Sequence, residues 1–384
     1  MSAANKGTVV NTFMRKKLLN YLKAVCVGKR NNYFDRFIRV MLLLLEYIYF
    51  IIIKLREFLY KPGIFKTREL ATRVICVGNI TAGGTGKTSI VEKLAPILYE
   101  RGKEPVIICS GYGGRGDTPL VVSDGKDTLV TRRECGDEAF MLAEHLENIP
   151  IIAGKDRYQA GLLAEEKFSP DIILLDDGFQ HFQLKRDVDV LAIDAMNPFG
   201  LRHLIPRGYL REPLSALKRA SAIIITHTAR VSDKKVVDIK KELKEYNDDL
   251  RIFTSRHTSG YLRGLAGTKA DKISVKELKG KKVFAFSGIG NPKSFIEELE
   301  VLGAEVVEYK FFPDHYEYDE DELFDISVRC QMDDIDMVVT TEKDMVKFTP
   351  EMLGYFDKSG TVFYSLCIEL EFVGDISLLL NIIT

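Results

Sequence analysis

The chain has 384 residues, 46% of them hydrophobic and 28% charged, which is long enough for two globular domains and excludes a disordered protein. Its six cysteines are scattered and form no Cys-x-x-Cys pair, so neither a disulfide framework nor a zinc cluster is expected. The net charge of −1 is uneven: residues 1–73 carry 15 Lys and Arg against 4 Asp and Glu, a net +11, and the remainder carries −12. This asymmetry favours an anionic partner surface, either a membrane or a nucleic acid.

The first predicted element is an apolar helix over residues 36–60, after a basic extension over residues 1–35. Val40 to Ile53 is apolar except for Glu46, but its 14 residues are fewer than the roughly 20 that span a bilayer. No small-residue cleavage site follows, so a signal peptide is not expected. On a helical wheel most of the charged residues fall in one stripe, with Arg56 outside it: Arg36, Arg39, Glu46, Lys54 and Glu57. The pattern favours a helix lying in a membrane interface; the alternative is a helix buried against the protein's own core.

A predicted strand at residues 73–78, a glycine-rich turn and a helix at residues 87–101 follow in the order of a phosphate-binding loop. The residues expected to hold the phosphates are Thr81, Ala82, Gly83, Gly84, Thr85, Gly86, Lys87 and Thr88. Glycines allow backbone N–H groups to approach phosphate oxygens, Lys87 reaches the terminal phosphates, and the Thr88 hydroxyl can hold Mg²⁺. The general pattern has glycine at position 81, where this chain has threonine, and the alternative is a chance glycine-rich turn.

A second signal is the apolar run from Pro170 that ends in Asp176 and Asp177. Phosphate-loop enzymes use an acid at the end of a neighbouring strand to hold Mg²⁺, although Asp-Asp-Gly is also good turn chemistry. Strands near 105–109, 150–153, 171–176 and 188–194 alternate with helices, which predicts a doubly wound α/β sheet. Asp137 and Glu138 open one of these helices, and acids in a first turn are ordinary dipole partners.

The C-terminal part reads as a second, smaller α/β domain over residues 271–384, joined to a first domain over residues 61–250 by linker strands at 251–270. A predicted strand from Lys282 leads into Gly288-Ile-Gly290 and a helix at 293–302. A dinucleotide fingerprint would require glycine at position 293, which is Lys293, so that interpretation is rejected.

Eight short blocks, in order along the chain, together resemble the tetraacyldisaccharide 4'-kinase family. They are Val77–Thr88, Ser110–Gly114, Gly136–Glu138, Asp176–His181, Leu210–Leu214, Gly288–Pro292, Phe312–His315 and Thr341–Asp344. At the position of Thr81, where the general pattern has glycine, the loop of this family looks the same as the loop of this chain. This chain departs at Ser110-Gly-Tyr112, where many members read Ser-Arg-Gly-Tyr.

The resemblance implies a P-loop NTPase-like fold and a reaction. ATP, with Mg²⁺, would phosphorylate the 4'-hydroxyl of a tetraacyldisaccharide 1-phosphate lipid to give lipid IVA in lipid A biosynthesis. The chain would then be a peripheral protein on the cytoplasmic face of a bacterial inner membrane, bound to its anionic surface. We expect no nucleic-acid partner and a monomer.

The resemblance also implies individual roles. Asp137 and His315, the latter from the second domain, would form a catalytic pair that accepts the hydroxyl proton, and Lys87 would neutralise developing charge. The implied Mg²⁺ shell is Thr88, Asp176, Asp177 and Glu138. The implied acceptor-binding residues are Tyr112, Arg157, Gln180 and Arg211. Glu212 is expected to touch the nucleotide.

Two other functions compete with a lipid kinase. A soluble phosphate-loop kinase or GTPase would have an N-terminal helix that is only core, but the guanine-specific Asn-Lys-x-Asp is missing, since Thr341-Glu-Lys-Asp344 lacks the Asn. A non-catalytic nucleotide-binding adaptor is disfavoured because Lys87, Asp137 and His315 are all present.

Overall fold

The structure is a computed structural model of the chain, and it describes residues 21, 24–26, 28–111, 114, 118–264, 272–290, 292–313 and 316–384. The chain divides into two compact units. The first comprises Met1–His257 and Leu370–Thr384, and the second comprises Thr258–Glu369. Two long strands, Arg251–Arg263 and Val362–Val373, contribute residues to both units.

The first unit is built on a mainly parallel sheet. Its strands are β1 Arg73–Gly78, β2 Pro105–Cys109, β3 Leu120–Ser123, β4 Ile151–Ala153, β5 Ile172–Asp176, β6 Val188–Asp194, β7 Ala222–Thr226 and β8 Arg251–Arg263. Their order is β8-β7-β6-β1-β5-β2-β4-β3, and β3 alone runs antiparallel to its neighbour β4. The central strands are continuous apolar runs because helices cover both faces of a parallel sheet. The strands predicted at 73–78, 105–109, 150–153, 171–176 and 188–194 are confirmed to within a residue.

Helices enclose this sheet on both sides, so the first unit is doubly wound. The helices are α1 Tyr33–Tyr60, α2 Lys87–Glu100, α3 Arg132–Cys135, α4 Asp137–His145, α5 Arg157–Phe168 and α6 Asp233–Tyr246, with a C-terminal helix at Ser377–Ile383. One apolar cluster joins one face of the sheet to α2, α4 and the C-terminal helix. The other joins the opposite face to α5 and α6. The carboxyl ends of β1 and β5 therefore meet at one edge, where β1 runs into the glycine-rich turn.

Helix α1 begins at a capping box, in which Asn32 accepts from the Asp35 backbone N–H and the Asp35 carboxylate accepts from that of Asn32. Of its 28 residues only Asp35 and Leu42 are buried. Large apolar side chains project from it into solvent, for example Ile48 at 53% exposure. Tyr49 and Ile53 pack against an apolar cluster of the first unit, but most of the apolar surface of α1 stays exposed, so the helix is not enclosed by the protein's own core. Within the described part of the chain, no helix has both the length and the apolar character needed to cross a membrane.

The second unit contains a parallel sheet of its own. Its strands are β9 Ile273–Ser274, β10 Lys282–Ser287, β11 Glu305–Phe311, β12 Met337–Thr341 and β13 Val362–Val373, in the order β11-β10-β12-β13, with β9 paired to β8. Its helices are α7 Pro292–Val301, α8 Glu320–Met332, α9 Glu342–Met345 and α10 Pro350–Ser359. Apolar clusters line both faces of this sheet.

Two of the sequence blocks in the second unit meet at a buried ion pair. The Asp344 carboxylate accepts from Lys347 Nζ at 2.8 Å, from the Gly288 backbone N–H at 2.9 Å and from the Thr341 hydroxyl at 2.7 Å. Asp344 is fully buried. A carboxylate committed in this way joins the turn after β10 to the start of α9, and it is not available to recognise a guanine base.

Candidate active site

The glycine-rich turn after β1 has the backbone geometry of a phosphate-binding loop. Gly83 and Gly86 have φ values of 116° and 81°, a region that residues with a Cβ avoid. Gly86 is also the N-cap of α2, and it receives no side-chain cap from the described residues. The first turn of α2 contains no acid, so its N–H groups and its dipole face an anion site without competition.

Thr81, where the general loop pattern has glycine, lies in an extended segment. It is buried and forms an antiparallel bridge with Leu210, and the neighbouring Ala82 N–H donates to Tyr209 O at 2.7 Å. Extended backbone accepts any residue with a Cβ, so this loop does not need glycine at position 81.

The floor of the loop is supported by polar and aromatic side chains that follow β1 or lie on β7 and β8. Asn79 Nδ2 donates to Thr85 Oγ1 at 2.8 Å, and Thr226 Oγ1 donates to Thr85 O at 2.9 Å. A Cβ added to Gly86 would lie 3.2 Å from the His257 ring. These contacts are made by the protein's own side chains, and such supporting contacts favour the preorganisation that phosphate binding requires.

Asp176, at the end of β5, lies next to the start of α2. Its side chain is 4% exposed, and its Oδ2 accepts from the Thr88 hydroxyl at 2.9 Å. Its Oδ1 is buried and has no hydrogen-bond partner among the described residues. Burial, reinforced by the nearby charge of Glu138, raises the pKa of Asp176 to about 6. An under-bonded carboxylate oxygen beside a threonine hydroxyl fits the oxygen donors that Mg²⁺ prefers.

The neighbouring Asp177 has the opposite environment. It has a left-handed backbone with φ 57°, and its carboxylate accepts from Arg211 Nη1 at 2.7 and 3.0 Å and lies 3.8 Å from Lys87 Nζ. Burial alone would raise its pKa, but Lys87 and Arg211 outweigh burial and hold the pKa of Asp177 below its usual value. Asp177 is therefore an ionised group that is already paired by the protein.

Arg211 belongs to a hydrogen-bonded network with three other predicted site residues. Its Nη1 also approaches Asn79 Oδ1 at 3.1 Å and Gln180 Oε1 at 3.3 Å. Gln180 Nε2 donates to Glu212 Oε1 at 3.0 Å, and Glu212 Oε2 accepts from Arg219 Nη2 at 2.7 Å. The structure thus brings Asp177, Gln180, Arg211 and Glu212 together, although they are distant in sequence.

Arg157 opens α5 and turns inward. Its side chain is 3% exposed, and its guanidinium donates to the carbonyls of Cys109 at 2.9 Å and Asp176 at 3.3 Å, and to that of Gly154. These bonds tie the carboxyl ends of β2, β4 and β5 together. The geometry supports a structural role, and acceptor binding by Arg157 stays a prediction.

Asp137 is the first residue of α4, and a separate short helix, α3, precedes it. Its Oδ1 accepts from Arg132 Nη1 at 2.8 Å, and its side chain is partly exposed. Glu138, next in the chain, is exposed. Two further predicted site residues, Tyr112 and His315, lie outside the described residues.

Three residues of the candidate site were not singled out from the sequence. Asn79 contacts Arg211, and its amide supports the loop, while Arg132 pairs with Asp137 and Arg219 pairs with Glu212. Asn79 stands inside the Val77–Thr88 block and could have been considered. Nothing in the local sequence distinguishes Arg132 or Arg219 from a surface arginine.

The strand, loop and helix, with Lys87 and Thr88 facing a strand-end aspartate, define a P-loop nucleotide-binding protein. The model of the family "Tetraacyldisaccharide-1-P 4'-kinase" matches residues 38–383. The chain belongs to this family, and the expectation that it is an enzyme of the kinase class is confirmed.

Individual relatives agree with this placement. The chain is 43% identical over 374 residues to a tetraacyldisaccharide 4'-kinase of Halothermothrix orenii, covering 95% of this chain and 97% of that protein. It is 37% identical over 336 residues to one of Pelobacter propionicus, covering 87% and 90%. The crystal structure of the "apo" form of LpxK from Aquifex aeolicus in complex with ATP matches with a TM-score of 0.71 at 31% identity, over 90% of this chain and 100% of that one. The predicted fold class, a P-loop NTPase-like α/β protein, is confirmed.

Proposed function

We propose that this chain transfers the γ-phosphoryl group of ATP to the 4'-hydroxyl of a tetraacyldisaccharide 1-phosphate lipid, giving lipid IVA in lipid A biosynthesis. The observation that carries the proposal is the near full-length identity to tetraacyldisaccharide 4'-kinases, 43% over 95% of the chain. The site adds physical support, because its phosphate loop is open toward a ligand while its supporting contacts are already formed.

The nucleotide is held by the loop from Thr81 to Thr88, with Lys87 at the terminal phosphates. Thr88 and Asp176 would hold Mg²⁺ directly, and Asp177 and Glu138 would act through water. Bound there, Mg²⁺ would neutralise charge on the transferring phosphoryl group. Among the described residues no group of three or more His, Cys, Asp or Glu is arranged to hold a metal alone. That agrees with Mg²⁺, which commonly uses one or two carboxylates together with substrate phosphates and water.

Asp137 accepts the proton of the attacking hydroxyl, and Arg132 orients its carboxylate. His315 completes the pair in the roles that the family resemblance implies. Arg211 and Gln180, with Tyr112, contact the acceptor, and Glu212 orders Gln180 beside the nucleotide loop. Arg211 is the strongest of these assignments. Its side chain is one-third exposed, and its positively charged guanidinium can bind a phosphate or a sugar oxygen.

The acceptor reaches the site from a membrane surface on which α1 lies. The exposed apolar side chains of α1 and the excess of cations in residues 1–73 support an interfacial helix on an anionic bilayer. We place the protein at the cytoplasmic face of the inner membrane, as a monomer without a nucleic-acid partner.

The test is a kinase assay with the purified chain, Mg-ATP and the disaccharide 1-phosphate lipid in detergent micelles. We expect a product with one additional phosphate at the 4' position and stoichiometric ADP. ADP release without lipid product, or product from a water-soluble sugar alone, would reject the lipid acceptor. Sedimentation with anionic vesicles should be lost on deletion of residues 1–59, and persistent sedimentation would reject the interfacial helix.

A further inference from the structure

Glu46 is the one charged residue within the apolar run of α1, and it points into the protein. Its side chain is 15% exposed, whereas neighbouring apolar side chains such as Tyr47 and Ile48 are exposed. Burying a carboxylate among apolar neighbours is unfavourable unless hydrogen-bond donors surround it. An acid at this position therefore points to specific partners.

Within the described part of the chain, those partners come from residues 200–211, which we call the 200–211 segment. Glu46 Oε1 accepts from the Leu204 backbone N–H at 3.0 Å and from His203 Nδ1 at 3.2 Å, and Oε2 accepts from Arg207 Nη1 at 3.1 Å. One turn further along α1, the Tyr49 hydroxyl donates to Arg211 O at 3.1 Å. The helix thus holds the segment at its middle and at its end.

The 200–211 segment has a backbone that requires such support. Gly200, Leu201 and Arg202 have φ values of 54°, 63° and 60°, so two residues with a Cβ adopt the left-handed region in succession. That conformation is unfavourable for L-residues and persists only when surrounding contacts impose it. A Cβ on Gly208 would lie 2.2 Å from His203 O, which shows how tightly the segment is folded on itself.

The far side of the same segment holds the active site. Tyr209 O accepts from the Ala82 N–H at 2.7 Å, and the Arg211 N–H donates to Ile80 O at 2.7 Å, so the segment forms the outer border of the phosphate loop. The guanidinium of Arg211 then reaches Asp177. A continuous set of hydrogen bonds therefore runs from the apolar helix to the phosphate loop and to Arg211.

We propose that Glu46 is a positioning residue. It holds the 200–211 segment, and with it Arg211, in a fixed position relative to α1, the helix at which the acceptor lipid arrives. The inference rests on the proposed function for its acceptor. Arg211 depends on the segment more than the phosphate loop does, because Asn79 and Thr226 support the loop independently. Loss of Glu46 should therefore impair use of the lipid more than binding of ATP.

Two variants and a matched control test the proposal. Glu46→Ala removes all three bonds, and Glu46→Gln keeps an acceptor for Leu204 but presents an amide N–H₂ to Arg207. Glu57→Gln is the control, since Glu57 is on the same helix and pairs with Lys54 at 2.8 Å and Lys61 at 3.8 Å within or next to that helix. In the nucleotide-free protein, amide hydrogen exchange at Leu204 should accelerate at least about tenfold in Glu46→Ala and stay unchanged in the control.

In micelle assays, Glu46→Ala should lower kcat/KM for the lipid about tenfold or more and change KM for ATP less than about threefold. Glu46→Gln should show the same direction with a smaller change, and it serves if Glu46→Ala does not fold. Arg207→Ala added to Glu46→Ala should have less effect than it has alone.

Unchanged amide exchange at Leu204, or an equal impairment of lipid use and ATP binding, would overturn the proposal. A wild-type protein inactive on the lipid would reject the proposed function, and the exchange result would still decide whether Glu46 holds the segment.

Discussion

The nucleotide side of the candidate site (the phosphate loop, Thr88 and Asp176) and its acceptor side (Gln180 and Arg211, with their partners Glu212 and Asp177) are built in opposite ways. Among the described residues the Asp176 carboxylate has one hydrogen-bond partner, the Thr88 hydroxyl, and its other oxygen is buried without a partner. Burial raises the pKa of Asp176 to about 6. Asp177 is paired with Arg211 and Lys87, which lower its pKa against the effect of burial. Two adjacent carboxylates thus differ because one strand end points into the protein and the next residue turns out of it.

This difference predicts which side of the site binds a cation supplied by a ligand. The acceptor side is electrically complete, so a substrate there must compete with or extend existing ion pairs. The nucleotide side is incomplete, since ionised Asp176 is unfavourable until a cation arrives. The predictions below separate the two sides.

The largest effect is expected at Asp137, which belongs to neither of the two sides and is proposed to accept the proton of the attacking hydroxyl. Asp137→Ala should lower kcat by about 10²- to 10⁴-fold, the usual contribution of a general base. The dissociation constant for Mg-ATP, measured by calorimetry, should change less than about threefold because the phosphate loop is untouched.

Asp233→Ala is the matched control for Asp137→Ala, because Asp233 is likewise the first residue of a helix, α6, and is exposed. It should leave kcat unchanged, which separates catalysis from a helix-dipole effect. His315→Ala should approach the Asp137→Ala value, and the double variant should be no worse than the more impaired single one. A large loss of ATP affinity in Asp137→Ala would instead move Asp137 to the nucleotide side.

Asp176→Asn should inactivate the enzyme and at the same time stabilise it. Activity with Mg-ATP should fall at least about 100-fold, because a neutral amide is a weak ligand for Mg²⁺. Without Mg²⁺ and nucleotide, the unfolding free energy at pH 7.5 should rise by up to about 3 kcal/mol, the value of holding a carboxylate ionised whose pKa is raised from 3.8 to about 6.

The pH dependence of that stabilisation has a defined sign. A raised pKa means that the folded state binds the proton more tightly than the unfolded state, so wild-type stability falls as pH rises between 3.8 and about 6. The advantage of Asp176→Asn should therefore be full above pH 7, shrink as pH falls below 6, and vanish below 3.8. Urea unfolding in EDTA at several pH values measures this, and a pH-independent difference would contradict the role of burial.

Arg211 is expected to give a smaller and more selective effect on the acceptor side. Arg211→Ala should raise KM for the lipid about 10- to 100-fold, the range for losing hydrogen bonds to a charged group, with a lesser effect on KM for ATP. Arg211→Lys should recover part of the loss, because the charge near Asp177 returns but the planar fork does not. Equal changes in both KM values would mean that Arg211 acts mainly through Asp177 and the phosphate loop.

Local sequence patterns were sufficient for the phosphate loop and for five strands of the first unit, β1, β2, β4, β5 and β6, but β3 and β7 were not predicted. The strand β1, the glycines at 83 and 86 and the helix α2 follow from apolar runs and from backbone conformations that only glycine adopts readily. The same reasoning located Asp176 and Asp177 at a strand end but treated them as equivalent. Their different burial depends on side chains distant in sequence, so no local pattern could separate them.

Helix α1 is a second case in which a local sequence pattern could not identify partners that are distant in sequence. The helical wheel placed Glu46 in a charged stripe and left the rest of the surface apolar, and the exposed apolar side chains agree with that pattern. It could not show which neighbour the stripe meets, and the partners of Glu46 lie more than 150 residues along the chain. Arg157 is similar, because its carbonyl partners come from three strands and leave no mark on its own sequence neighbourhood.

The smallest effects are expected from two glycines of the loop, and they test whether its open space is kept for the nucleotide. A Cβ added at Gly84 would meet no atom within 4 Å, and Gly84 is not among the glycines with positive φ. Gly84→Ala should therefore change the unfolding free energy by less than about 1 kcal/mol, yet weaken binding of Mg-ATP about tenfold because the methyl group occupies the phosphate cradle.

Gly86 is the contrasting position: it has φ 81°, and its added Cβ would lie 3.2 Å from the ring of His257. Gly86→Ala should instead lower the unfolding free energy by about 1–3 kcal/mol even without nucleotide. If both variants lost stability equally and Gly84→Ala bound ATP normally, the space above the loop would not be the nucleotide site, and the contrast between an incomplete nucleotide side and a complete acceptor side would fail.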